Sequence, residues 1–184
     1  GVRTWDSNAD GFTDSAYAGD FKGNLWKFSN IGTGTASATV LFRATDSGGN
    51  AQAITATPLV GRKPDSLETW VFFGTGRFLG GTDLSDKSVQ TWYGIRDAGT
   101  LVTAANLATR TIEYEGPLKD KDGKDVEVRV ISASKEGDMT GKLGWKLDLV
   151  TPAGTAMGER MVVPNLFDGN RLLGISRIPN NSDP

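Results

Sequence analysis

Cysteine and histidine are both missing from the 184 residues of this chain. Without cysteine there is no disulfide framework and no thiol nucleophile, and the redox compartment cannot be inferred. Without histidine the commonest general base is gone, together with the usual partner of a serine nucleophile, which weighs against a hydrolase. A zinc or copper site of the ordinary kind has no imidazole or thiolate to build on. An excess of charge of one sign is lacking too, since 20 basic residues nearly balance 22 acidic ones. Neither nucleic acid nor an anionic membrane is invited by such a balance. No apolar run approaches the ~20 residues needed to cross a bilayer, so membrane insertion is not expected. The chain opens without an initiator methionine or a secretion signal and reads as an excised segment.

Glycine and aromatic residues are plentiful. There are 24 Gly, five Trp, eight Phe and three Tyr in a chain that is 38% hydrophobic. Enough apolar material is present for a substantial core in one domain, or a large piece of one, and the glycines predict many tight turns.

The most informative stretch is Asp6-Ser7-Asn8-Ala9-Asp10-Gly11-Phe12-Thr13-Asp14. Oxygen-bearing side chains occupy its first, third, fifth and ninth places and Gly the sixth, the spacing of an EF-hand-type calcium loop. Asp6, Asn8 and Asp10 would project toward one centre, Gly11 would allow the sharp turn, Phe12 would offer its backbone carbonyl, and Asp14 would close the set directly or through a water. Hard oxygen donors of this kind suit Ca2+, whereas Mg2+ demands a stricter octahedron. The first twenty residues carry four Asp against one Arg, so a bound cation would relieve repulsion and order the loop. The twelfth place is Tyr17 rather than a bidentate Glu, and a β-rich run follows in place of a helix. The segment is therefore not a helix-loop-helix sensor. Asp, Asn and Gly also dominate plain turns, which is the competing reading of the same residues.

Beyond the loop, short strands alternate with Gly, Asn, Asp and Pro. Tyr17–Gly19 and Asn24–Ser29 predict a hairpin, with Trp26 and Phe28 facing the core. Val40–Ala44, Ile54–Val60, Thr91–Asp97, Gly144–Leu149, Glu159–Pro164 and Arg171–Pro179 are strand-length pieces. Thr69–Leu79 is the most apolar run and predicts a fully buried strand. Its Gly74-Thr75-Gly76 lacks the rest of a nucleotide fingerprint and reads as a structural turn. Leu101–Leu107 is the one helix candidate. Thr111–Tyr114 and Val126–Ile131 flank a charged Asp-Gly tip, where Asp120, Asp122 and Asp125 alternate with lysines and favour a solvated turn over a second cation site. Several antiparallel units of this kind predict an all-β fold, part of a β-propeller, in which 184 residues would hold about four blades at most.

Taken together, the loop, Tyr17-Ala18-Gly19-Asp20, Gly23-Asn24-Leu25-Trp26-Lys27-Phe28, Phe73 to Leu79, Trp92-Tyr93-Gly94-Ile95, Gly144 to Leu149, Gly158-Glu159-Arg160 and Ile178-Pro179 through Asp183-Pro184 resemble the C-terminal propeller of PilY/PilC-type type IV pilus proteins. The motifs fall in family order across nearly the whole of residues 1–184. The resemblance implies a modified quinoprotein-like β-propeller of antiparallel blades with loop insertions, here a partial domain, with its calcium ligands at Asp6, Asn8, Asp10, Phe12 and Asp14. It implies a module that modulates pilus extension, retraction, twitching motility and surface adhesion, and no catalysis. The implied partners are minor pilins or the pilus tip complex, with host or abiotic surfaces reached through other regions. The implied location is the cell surface and pilus tip, or the periplasm and outer membrane. The alternative is a quinoprotein-like enzyme or a carbohydrate-binding propeller in which Trp5, Trp26, Trp70, Trp92 or Trp145 stacks on a ring.

Overall fold

The computed structural model describes residues 1–63 and 66–180, so Asp183-Pro184 of the closing motif lie outside the described residues. Four strands open the chain: β1 (Val2–Trp5), β2 (Ser15–Gly19), β3 (Asn24–Ser29) and β4 (Ser37–Arg43). They form an antiparallel meander in the order β1-β2-β3-β4. There follow β5 (Leu59–Arg62), β6 (Thr69–Gly74), β7 (Thr91–Arg96), β8 (Leu107–Arg110), β9 (Ile112–Lys119), β10 (Asp125–Ile131), β11 (Gly144–Asp148), β12 (Leu166–Asp168) and β13 (Arg171–Leu173). Five of these make a second sheet, β5-β6-β7-β11-β8, while β9-β10 and β12-β13 are separate hairpins. Only the β11–β8 pairing in this sheet is parallel.

Between the two sheets lies one core of Tyr17, Leu25, Leu41, Phe42, Val60, Val71, Phe73, Tyr93, Ile95, Val102 and Leu107, all at most 5% exposed. Alternation along β3 places Leu25 and Lys27 toward it, opposite Gly19 and Tyr17. The expected inward face was the other one. Trp26 is half-buried and Phe28 is on the outer side, because the inward Lys27 has a partner: its ammonium lies 2.6 Å from Asp97, which also accepts the Tyr17 hydroxyl at 2.6 Å. Burial alone would raise the Asp97 pKa. Hydrogen bonds from Lys27, Tyr17 and the Gly99 N–H outweigh that and hold it below the usual carboxylate range.

The second face of the five-stranded sheet is aromatic. Trp70 and Phe72 of β6, Trp92 of β7 and Trp145 of β11 share it. Gly94 makes room there, since a Cβ at that position would lie 2.5 Å from the Trp145 Nε1. Trp92 and Trp145 meet edge-on with centroids 5.3 Å apart.

Three turns share one clasp. Asp20, Asp46 and Asp120 each accept the N–H two and four residues later, and each turn closes on a glycine of positive φ, Gly23, Gly49 or Gly123. At the third, Lys119 pairs with Asp125 and Lys121 with Asp122, so these carboxylates are engaged as the solvated-turn reading required.

Other expectations change. The segment Leu101–Leu107 is not an α-helix: the Val102 N–H bonds to the Leu41 carbonyl, a 3-10 turn covers only Ala104–Asn106, and Leu107 starts β8. Ile54 makes one isolated bridge to Gly76, and β5 begins only after Pro58, which has no N–H to give. The strand expected through Leu79 stops at Gly74, where Thr75 turns its N–H to Thr91 and Gly76 to Ala53. Glu159–Pro164 is not a strand, apart from a bridge between Arg160 and Arg177. Arg160 is 1% exposed, and its guanidinium donates instead to the carbonyls of Arg77, Asp86 and Gly158.

Two outcomes follow for stability. Phe73→Ala is expected to cost about 3–5 kcal/mol in denaturant melts, by loss of a fully buried ring. Asp97→Asn is expected to cost about 3 kcal/mol at neutral pH. Because the folded-state pKa of Asp97 is depressed, its contribution is present above the unfolded value near ~4 and is lost as pH falls through the folded one. The gap between the unaltered chain and the variant should therefore close on acidification below pH ~4 in a series of melts.

Candidate metal centre

The loop between β1 and β2 is built around Asp6. One of its oxygens accepts the N–H groups of Asn8 (3.3 Å), Ala9 (2.6 Å) and Asp10 (3.3 Å), and the other that of Gly11 (2.8 Å). A single carboxylate thus gathers four successive N–H groups around itself. The coil needs positive φ at Ala9 (61°) and Gly11 (90°), the second being the place where the spacing demanded glycine.

Asn8 and Asp10 come together inside this coil. The Asn8 amide donates to Asp10 Oδ2 at 3.1 Å, while its oxygen accepts the Asp10 N–H at 3.0 Å. Asp10 Oδ1 receives the Phe12 N–H at 2.8 Å, which holds the Gly11–Phe12 peptide one unit before the fourth donor, the Phe12 carbonyl. The Phe12 ring is 76% exposed and takes no part in packing. Asp14 is turned to Ser7, accepting its N–H at 2.7 Å and its hydroxyl at 2.5 Å. Those bonds from Ser7, hydroxyl first, hold the Asp14 carboxyl below its ordinary range, so it is an anion at neutral pH. Among the described residues no three carboxylates converge as a ready-made cluster.

These residues fit a hard cation by donor type and by register. All the donors are oxygens, among the described residues no lysine or arginine side chain bonds to them (Arg62 reaches only the Ser7 carbonyl), and most of the coil is exposed. Gathering them on one ion requires the Asn8 amide to present its oxygen in place of its nitrogen, and Asp14 to exchange Ser7 for the ion. Asp6, Asn8, Asp10, the Phe12 carbonyl and Asp14 are the residues that would hold it.

Sequence reasoning missed the loop's ties to the body. The Asp14 N–H bonds to the Trp5 carbonyl and the Asp14 carbonyl accepts from Ile31, both in the first sheet's neighbourhood. Arg62 of β5 donates to the Ser7 carbonyl, which links the loop to the second sheet. No spacing rule marks a partner 55 residues away. Trp26 donates its indole N–H to Asp20 at 2.9 Å, Trp5 packs against the core, and Trp70, Trp92 and Trp145 line a cavity of about 440 Å³ on the outer sheet face.

A four-stranded meander packed face to face on a second antiparallel-rich sheet, with clasped hairpin tips, defines adjoining blades of a β-propeller. Comparison with protein families matches residues 34–126 to the PilY1 beta-propeller domain, and the chain belongs to that family. A type IV pilus biogenesis factor PilY1 homolog of Xylella fastidiosa is 41% identical over the full 184 residues. The type IV pilus biogenesis factor PilY1 of Pseudomonas aeruginosa is 32% identical over an alignment that covers 99% of this chain. The chain spans only 14% and 19% of the lengths of these two relatives. The crystal structure of the Pseudomonas aeruginosa PilY1 C-terminal domain superposes with a TM-score of 0.83 at 30% identity, over 97% of this chain and 44% of that one.

The geometry of the coil predicts the effect of removing its centre. Asp6→Ala leaves the Ala9 and Gly11 N–H groups without their acceptor, and hydrogen exchange at these two amides should accelerate about tenfold or more. Unchanged exchange would mean that Asp6 does not organise the loop.

Proposed function

We propose that residues 1–184 form part of a β-propeller domain of a type IV pilus biogenesis factor, and that the loop at 6–14 binds Ca2+ and couples its occupancy to pilus behaviour. The observation that carries this reading is the coil of oxygen donors wound on Asp6 and tethered to both sheets, in a chain whose relatives bear the name of pilus biogenesis factors. The cation supplies charge neutralisation among Asp6, Asp10 and Asp14. What the chain does is hold that ion at the entry to β2, so that order in the loop is passed to the blade edge.

Pilus extension and retraction, twitching motility and surface adhesion are the processes this module would modulate, and the role is one of assembly rather than catalysis. Minor pilins or the pilus tip complex are the partners, and the cell surface, pilus tip or outer envelope the location. The names of the relatives support this reading. Its chemical basis is the absence of histidine and cysteine, which leaves no familiar nucleophile-and-base set.

Calorimetry and thermal melts test the metal directly. Calcium at about a hundredfold excess over its Kd should raise the melting temperature by about 5–10 °C, and Asp10→Ala should remove that rise while leaving the melt in chelator unchanged. Identical melting curves with calcium and with chelator would sink the proposal.

A further inference from the structure

At the far end of β2 from the metal loop, some ~17 Å along the strand, lies a second and more enclosed cavity of about 230 Å³. Its wall is formed by Phe21 on the β2–β3 turn, the backbone around Ala51, Ala53 and Gly76, and the side chains of Arg77, Asp86, Ser88 and Gln90. The polar groups here are under-used. Gln90 is 6% exposed, and its amide nitrogen donates to the Ser88 hydroxyl at 2.9 Å, yet its Oε1 has no hydrogen-bond partner among the described residues. A buried amide oxygen without a donor is costly, and native structures rarely keep one without a reason.

Asp86 is engaged by Ser88, whose N–H it accepts at 2.9 Å. Burial pushes its pKa up, but the Ser88 bonds and the charges of Arg160 and Arg77 outweigh this and keep it an anion. Arg77 gives its Nε to Asp83 at 2.8 Å, and its two terminal nitrogens bond to no side chain or carbonyl among the described residues. Phe21 stands at the mouth with 64% of its surface exposed, an aromatic ring on a turn that has no packing use for it.

A ligand for this set must bring hydrogen-bond donors for Asp86 and Gln90, acceptors for Arg77, and an apolar face for Phe21, all within a few ångströms. A divalent cation is disfavoured by Arg77, and a phosphate by Asp86. A free amino acid would match the two charges and leave the ring and the amide idle. The adjacent hydroxyls of a sugar ring both donate and accept, and the C–H face of such a ring stacks on an aromatic side chain. The volume is below that of a drug-sized pocket and suits one ring. The tryptophan-lined cavity on the outer sheet face is a poorer candidate, because its Arg110 is already paired with Asp138 and its Lys63 with Glu68.

We propose that this cavity is a binding site for a single pyranose unit, with Phe21 as the stacking platform, Asp86 and the Gln90 amide as hydroxyl acceptors, and Arg77 as the donor. The site is separate from the metal loop and does not rest on its occupancy.

The test is saturation-transfer NMR and titration of the intact protein with glucose, galactose, mannose and N-acetylglucosamine, each to about 10 mM. At least one sugar should bind, and Phe21→Ala and Asp86→Asn should each weaken it about tenfold with melting temperatures unmoved. The proposal is overturned if all four sugars fail to bind, if binding is indifferent to both substitutions, or if glycine and glutamate displace the bound sugar.

Discussion

Phe42 of the first sheet sits against Phe73 and Tyr93 of the second, with ring centroids 6.3 and 5.0 Å away, and Phe73 and Tyr93 are themselves stacked at 5.2 Å. All three are 1% exposed. Each sheet would otherwise present a bare apolar face to water, so this triangle of rings is what makes two sheets one body. Tyr93 adds a polar end to it. Its hydroxyl donates to the Gln52 side-chain Oε1 at 2.9 Å, the Gln52 Nε2 donates on to the Val89 carbonyl and the Thr91 hydroxyl, and that hydroxyl donates to Asp148. Dispersion sets the distance between the sheets, and this buried polar seam sets their register.

The same packing explains how a surface loop is connected to the interior. Asp14 continues into Ser15 and Ala16, both buried, and then Tyr17, whose hydroxyl meets Asp97 beneath the sheets. Burial, then the Asp97 carboxylate, keep that phenol protonated far above neutral pH, so it can donate to Asp97. Only two residues, Ser15 and Ala16, separate the last candidate ligand from a core hydrogen bond.

Much of this was legible in the chain itself. The hairpin over Asp20–Gly23 and most of the strands follow from spacing, because local patterns were enough to encode them. Alternation failed on β3, where the rule that aromatics go inward chose Trp26 and Phe28. The deciding partner of Lys27 was Asp97, 70 positions away in sequence. It failed again at Leu101–Leu107, where a helix-like composition yielded to one bond from Val102 to Leu41. Arg160 carried no periodic signal at all, since its use is to fill and bond a gap between distant turns. What stayed hidden was in each case a long-range polar partner, and single-sequence periodicity contains none of that information.

The order of the second sheet carries a consequence for how the chain reaches its fold. Among the described residues, β8 has only β11 beside it in the sheet, and β11 lies between β7 and β8 although the whole β9–β10 hairpin separates it from β8 in sequence. Meanders such as β1 to β4 can zip from one tight turn to the next, on the ~1–10 μs scale of single hairpins. The strand β8 cannot. It must wait at the margin until a segment made 34 residues after Arg110 slots in ahead of it. Closing that long excursion comes before any ladder bond rewards it, so contact order argues for late closure at β8.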